Sequence, residues 1–203
     1  MLKIGVTGGI ACGKSTVAAW MRELGCCVLD ADRLAHQLIE PGQPAYEEVV
    51  REFGLEILLR DRRIDRSRLA TIVFSNRAKL GRLNAIVHPR VIAEQERELT
   101  ELGHKEPGAI AVVEAALLIE AGYHTRLDRL IVVWCRPEQQ LERLVARGQS
   151  RTEAEQRIAA QLPLDQKRAL ADDLIDCSGT LDRTRLQVEE LVRRLKTLAA
   201  TQG

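Results

Sequence analysis

The chain has 203 residues, 45% of them hydrophobic and 29% charged, which suits one well-packed core with at most a modest appendage. Thirty Lys and Arg against 29 Asp and Glu leave a formal net charge of +1, and aromatic residues are only 3%. That composition counts against a surface that recruits nucleic acid or anionic membrane by charge, and against one that stacks many bases on rings. Five cysteines (Cys12, Cys26, Cys27, Cys135, Cys177) form no C-x-x-C pair and are odd in number, which counts against a zinc ribbon or a disulfide framework. The longest apolar run, "AIAVVEAALLIEAG", is interrupted by Glu114 and Glu120 and is too short to span a bilayer. With no signal-like segment at the start, the expected location is the cytoplasm, with no nucleic-acid, membrane or obligate protein partner.

In chain order, "LKIGVT" (2–7) reads as a short buried strand. "GKSTVAAWMRELG" (13–25) has helical spacing, with Val17, Trp20, Met21 and Leu24 on one face and Gly25 as the stop. "CCVLDAD" (26–32) is a second apolar run ending in acids. Residues 33–104 hold several helical patterns and no convincing core strand, so they read as a helical insertion. "AIAVVEAA" (109–116), "LIVVWC" (130–135) and "DLIDC" (173–177) complete a set of five apolar runs. Residues 138–165 are a polar helical excursion, and the tail reads as one amphipathic helix. Continuous apolar strands alternating with helices predict a parallel sheet covered on both faces, with the ligand site beyond the carboxyl ends of the strands. Asp30, Asp32 and Glu114 fall at that end.

Gly8-x4-Gly13-Lys14-Ser15 matches the phosphate-loop pattern, and it lies between a predicted strand and a predicted helix. The glycines let the backbone approach an anion, successive N–H groups point at phosphate oxygens, and the helix start adds its positive end. Lys14 is expected to reach the β- and γ-phosphates of ATP and Ser15 to coordinate Mg²⁺. Gly8, Gly9, Ile10, Ala11, Cys12, Gly13, Lys14, Ser15 and Thr16 are the expected ATP-binding residues, and Glu114 is a second candidate metal ligand. The expected fold is α/β: a P-loop NTPase-type three-layer sandwich with a five-stranded parallel sheet, a helical insertion and a short helical lid. A GTPase would need a guanine-reading N-K-x-D, and neither Asn76 nor Asn84 supplies it. Three readings stay open on the loop alone: a small-molecule kinase, a nucleoside or nucleotide kinase, and a nucleotide sensor without chemistry. The scarcity of aromatic residues counts against a nucleobase pocket.

The segments "VLDADRLAHQLIEPGQPAYEEV" (28–49), "LNAIVHPRV" (83–91), "VVEAALLIEAG" (112–122), "QLERLVAR" (140–147) and "ADDLIDCSGT" (171–180), in this order and spacing, resemble the dephospho-CoA kinase family. The resemblance implies transfer of the γ-phosphate of ATP to the 3′-hydroxyl of dephospho-CoA. It divides the chain into a nucleotide-binding core (1–32, 105–137, 166–203), an acceptor-binding insertion (33–104) and a lid (138–165). Asp32 is then the catalytic base, with the first turn of the next helix, which it could also cap, directly after it. Arg66, His88, Arg90, Leu118 and Glu120 join Asp32 on the acceptor side. Pro89 predicts an extended His88 at a helix start. Arg143 and Arg147, four apart on one helix face, are the lid cations, Arg143 in catalysis and Arg147 on ATP; Lys14 completes the catalytic set.

Cys12 stands where the family usually has serine, Cys177 where it has asparagine, Ala116 where it has proline, and Ile119 where it has an aromatic residue. Cys12 precedes a helix start and lies two residues from Lys14. Two readings stay open: a small residue that simply fits, or, because both features lower a thiol pKa, a thiol open to oxidation when nucleotide is absent.

Overall fold

The computed structural model describes residues 1–201. The five apolar runs become β1 (Leu2–Gly8), β2 (Cys27–Asp30), β3 (Ile110–Glu114), β4 (Arg129–Trp134) and β5 (Asp173–Asp176). Every pairing is parallel, in the order β2-β3-β1-β4-β5. The helices are α1 (Lys14–Glu23), α2 (Ala31–Leu38), α3 (Tyr46–Phe53), α4 (Arg66–Phe74), α5 (Arg77–Lys105), α6 (Pro137–Ala146), α7 (Arg151–Ala159), α8 (Leu164–Ala169) and α9 (Leu181–Thr201). No helix among the described residues is long and apolar enough to cross a membrane.

Alternation along each strand explains why the runs are apolar throughout rather than on every second residue. Ile4, Val6, Val112, Ile131 and Val133 point to one face, where they meet Val17 and Met21 of α1 and Val188, Leu191, Val192 and Leu195 of α9. Thr7, Ala111, Val113, Leu130 and Val132 point to the other face and are equally buried. A sheet buried on both sides has no position for a solvent-facing polar residue. The register sets Val6 beside Glu114 and Glu114 beside Asp30, so two acids are neighbours at the carboxyl ends of the strands.

The chain forms two compact units, one of Met1–Asp30 with the chain from Glu98 onward, the other of Ala31–Arg97. Residues 98–104, read from sequence as part of the insertion, belong to the sheet unit: α5 is continuous there, and Leu99 is only 1% exposed. The excursion at 138–165 folds as α6 and α7 within that same unit. In the second unit Tyr46, Val49, Phe53, Ile57, Leu69 and Val73 make the core. Asp65 caps α4 by accepting from the N–H groups of Ser67 and Arg68. Its extended pairing is limited, among the described residues, to an isolated bridge between Leu58 and Ile64.

One local expectation fails. The His88–Pro89 step, expected to open a helix, lies inside the 29-residue α5. Pro89 has no N–H to give the Ala85 carbonyl, which costs a helix interior about 3 kcal/mol. The helix persists because Val87 and Val91 are buried on one side of the step. On the other, the Arg90 guanidinium donates to the Ile86 carbonyl at 2.6 Å and so supports the adjoining turn.

Burial sets the expected costs of substitution. Ile131 is fully buried in β4, so Ile131→Ala lowers unfolding free energy by about 2–5 kcal/mol in urea melts. Leu186 is 66% exposed on α9, and Leu186→Ala stays within about 0.5 kcal/mol in the same assay.

Candidate functional site

The phosphate loop joins β1 to α1. Gly8 is required by packing, since a Cβ there would sit 2.2 Å from the Val133 carbonyl oxygen of β4. Gly13 is required by conformation, since it takes φ +104° as the residue that starts α1. Thr16 and Val17 donate their N–H groups to the Gly13 carbonyl at 3.0 and 3.1 Å, and the helix then runs on with its positive end at the loop.

The carboxylate of Glu114 organises this end of the sheet. It is 4% exposed at the tip of β3. Its Oε1 accepts from Lys14 Nζ and from Ser15 Oγ, both at 2.8 Å. Three of the residues singled out from sequence therefore meet at one oxygen. Hydroxyl and carboxylate oxygens are the hard donors that Mg²⁺ selects, so Ser15 and Glu114 fit such an ion.

Side chains of α6 reach back to two loops at once. Arg143 donates to the Ala11 carbonyl of the phosphate loop at 3.1 Å and to the Cys177 carbonyl, beyond β5, at 2.8 Å. Gln139 donates to the Ser178 carbonyl at 3.0 Å. Arg147 is the residue that ends α6.

Asp32, Arg66, His88 and Arg90 all belong to the second unit. Asp32 stands in the first turn of α2, which begins at Ala31, so it lies inside the helix rather than capping it. Arg66 pairs with Glu40 at 2.7 Å and Arg90 with Glu48 at 2.5 Å. Both arginines are thus held by local acids.

The dephospho-CoA kinase family profile matches residues 2–183. A dephospho-CoA kinase of Carboxydothermus hydrogenoformans is 46% identical over 194 residues, covering 95% of this chain and 94% of its own. This chain belongs to the dephospho-CoA kinase family. Enzymes of that family phosphorylate dephospho-CoA with ATP in the last step of CoA biosynthesis. Among solved structures, dephospho-CoA kinase from Campylobacter jejuni superposes with a TM-score of 0.69 at 27% identity, covering 96% of this chain and 97% of that one. A shikimate kinase from Acinetobacter baumannii shares the fold at a TM-score of 0.53 and 15% identity, covering 97% of this chain and 94% of that one.

Several residues in family segments take structural parts here. Leu118, expected on the acceptor side, is 1% exposed and packs beside Gly5 in the core. Glu120, expected beside the acceptor, accepts at 2.8 Å from Lys167 Nζ and at 2.9 Å from the Leu162 N–H. Lys167 on α8 is fully buried and donates at 2.8 Å to the Ala116 carbonyl as well. It therefore ties the segment that follows Glu114 to α8. Nothing in the sequence singles out Lys167; its helix is a single polar turn and a half. Of the two glutamines that hold the phosphate loop, Gln140 opens the family-like segment 140–147 without a role of its own being read there, and Gln161 is silent in sequence.

The oxidisable reading of Cys12 fails, and a small residue that fits is what the packing supports. Its thiol is fully buried, 3.3 Å from Cys135 Sγ. The hydrogen bond with Cys135, with burial added, pushes the Cys12 thiol up, while the same bond draws Cys135 down. Cys12 thus holds its proton and is shielded from solvent. Burial likewise pushes Cys26 and Cys177 to about 11. Cys177 Sγ lies 3.2 Å from where a Gly13 Cβ would be, so the residue that replaces asparagine packs beneath the loop.

Two outcomes follow from this packing. Removing Glu120 strands a buried cation, so Glu120→Ala lowers unfolding free energy by about 3–5 kcal/mol, and adding Lys167→Met recovers much of that loss in a double-mutant cycle of chemical melts. Cys27 is the one cysteine of the five that is not buried. Burial and the neighbouring Glu106 raise its thiol, so maleimide labelling followed by peptide mass spectrometry finds Cys27 first, at a rate that climbs with pH.

Proposed function

We propose that this chain transfers the γ-phosphate of ATP to the 3′-hydroxyl of dephospho-CoA, giving CoA and ADP, with Asp32 as the catalytic base. The observation that carries this reading is the convergence of Lys14 and Ser15 on Glu114 at the strand ends. A triphosphate in the loop takes Lys14 as its counter-charge, and the backbone N–H groups from Gly13 onward hold the β-phosphate. Ser15 and Glu114 would hold the Mg²⁺ that accompanies ATP, which when bound neutralises charge on the β- and γ-oxygens. Asp32 accepts the proton of the attacking hydroxyl, and the positive end of α2 favours negative charge at its position. Arg66, His88 and Arg90 supply donors to the acceptor, and Arg143 and Arg147 supply positive charge on the ATP side. Glu120 serves the acceptor side through the segment it anchors with Lys167.

The test is turnover with Mg-ATP and dephospho-CoA beside a panel of nucleosides, reading ADP and phosphorylated product. Dephospho-CoA is expected to be the acceptor used; ADP release that ignores it sinks the reading. Asp32→Asn lowers kcat by about 10²–10⁴ while ATP binding is kept, and Lys14→Ala damages both.

A further inference from the structure

The first turn of the phosphate loop is gripped from outside the loop. The Ile10 N–H donates to Gln161 Oε1 at 2.9 Å, and the Ile10 carbonyl accepts from Gln140 Nε2 at 2.8 Å. A backbone N–H only donates and a carbonyl only accepts, so the chemistry fixes the orientation of both side-chain amides. Gln140 lies on α6 and is 4% exposed, while Gln161 follows α7. The next loop residue, Ala11, has φ +60°, a left-handed conformation that is uncommon for a residue with a Cβ. A separate observation marks the same contact. A Cβ on Gly9 would stand 2.4 Å from Gln140 Nε2 and 3.0 Å from Cys12 Sγ. The second glycine of the loop thus leaves room for the Gln140 amide to reach Ile10, with the Cys12 thiol beside it.

We propose that Gln140 and Gln161 are positioning residues that set the phosphate loop in its nucleotide-ready turn. They act through the backbone of Ile10, one on each polar group. The proposal rests on the reading that ATP occupies this loop. A left-handed residue next to Ile10 persists only where its surroundings over-determine it, and the two amides, with Arg143 on the Ala11 carbonyl, provide that determination. Without the amides the loop must be ordered by the nucleotide itself, and that ordering subtracts from affinity.

The opposite polarities of the two contacts separate them experimentally. Methionine is a neutral substitute at either position. Glutamate keeps the acceptor at 161 but abolishes the donor at 140. Amide hydrogen exchange of Ile10 is read by NMR on the nucleotide-free protein, and the Kd for Mg-ATP is read by calorimetry without acceptor. Gln161→Met is expected to speed Ile10 exchange by about tenfold, whereas Gln161→Glu and Gln140→Met keep the N–H protected. Each methionine variant is expected to weaken Mg-ATP binding about fivefold, the worth of one net hydrogen bond, with dephospho-CoA binding unchanged. Unchanged Ile10 exchange in folded Gln161→Met overturns the proposal. So does a lowered Tm with unaltered Mg-ATP affinity, which would make both glutamines merely structural. If Gln161→Met fails to fold, Gln140→Met and Gln140→Glu decide the matter by Mg-ATP affinity. Neither measurement needs turnover, so a wrong acceptor would leave this result intact.

Discussion

A carboxylate that is almost wholly withdrawn from water must be met by donors or cations, and the position of Glu114 rests on that requirement. One oxygen takes both the lysine and the serine that open α1. The strand end of β3 and the helix start after β1 are thereby tied together across about a hundred residues of chain. The parallel register then places Asp30 beside Glu114 and Val6 on its other side. Both ends of the loop between Gly8 and Gly13 are fixed in this way, and its middle is held by Gln140, Gln161 and Arg143.

The excursion between β4 and α8 contributes to the same centre. Its helix α6 donates from Arg143 to the loops after β1 and after β5, and from Gln139 to the second of these. Each such bond contributes only about 1 kcal/mol net. Their effect is to remove alternatives, because carbonyls left bare at the strand ends would compete for the same cations as a nucleotide. Lys167 performs a similar office on the other side of Glu114, where Thr7 shares the Ala116 carbonyl with it.

The sheet was legible because burial on both faces writes a strand as an unbroken apolar run, as at 110–114 and 130–134. The phosphate loop was legible because its chemistry demands particular residues at fixed spacing. Glu114 was legible by its place at a strand end, where a metal-binding carboxylate is expected in such folds. What escaped was polar and distant. Gln140 lies in the stretch read as a lid for the sake of its arginines, Lys167 in a short polar helix, and only tertiary structure turns both inward. Pro89 was misread because a local rule about proline yields to the packing of Val87 and Val91. The oxidisable reading of Cys12 fails because its sequence neighbours lower a thiol pKa, while its partner in space, Cys135, raises it. Arg66 and Arg90 were legible as cations of the insertion, but their acids, Glu40 and Glu48, lie 26 and 42 positions away.

The contact between Gln140 and Gly9 has a consequence for how this chain can vary. The space above Gly9 is filled by an amide contributed 131 positions later in the chain. A methyl group at position 9 therefore needs the Gln140 amide to withdraw, or a smaller residue at 140, and must still settle against the Cys12 thiol. The constraint runs one way: position 140 can change while glycine stays at 9, whereas a side chain at 9 has to wait for room at 140. Substitutions judged one at a time would therefore find position 9 the less tolerant of the two, in part for a reason that lies 131 positions away.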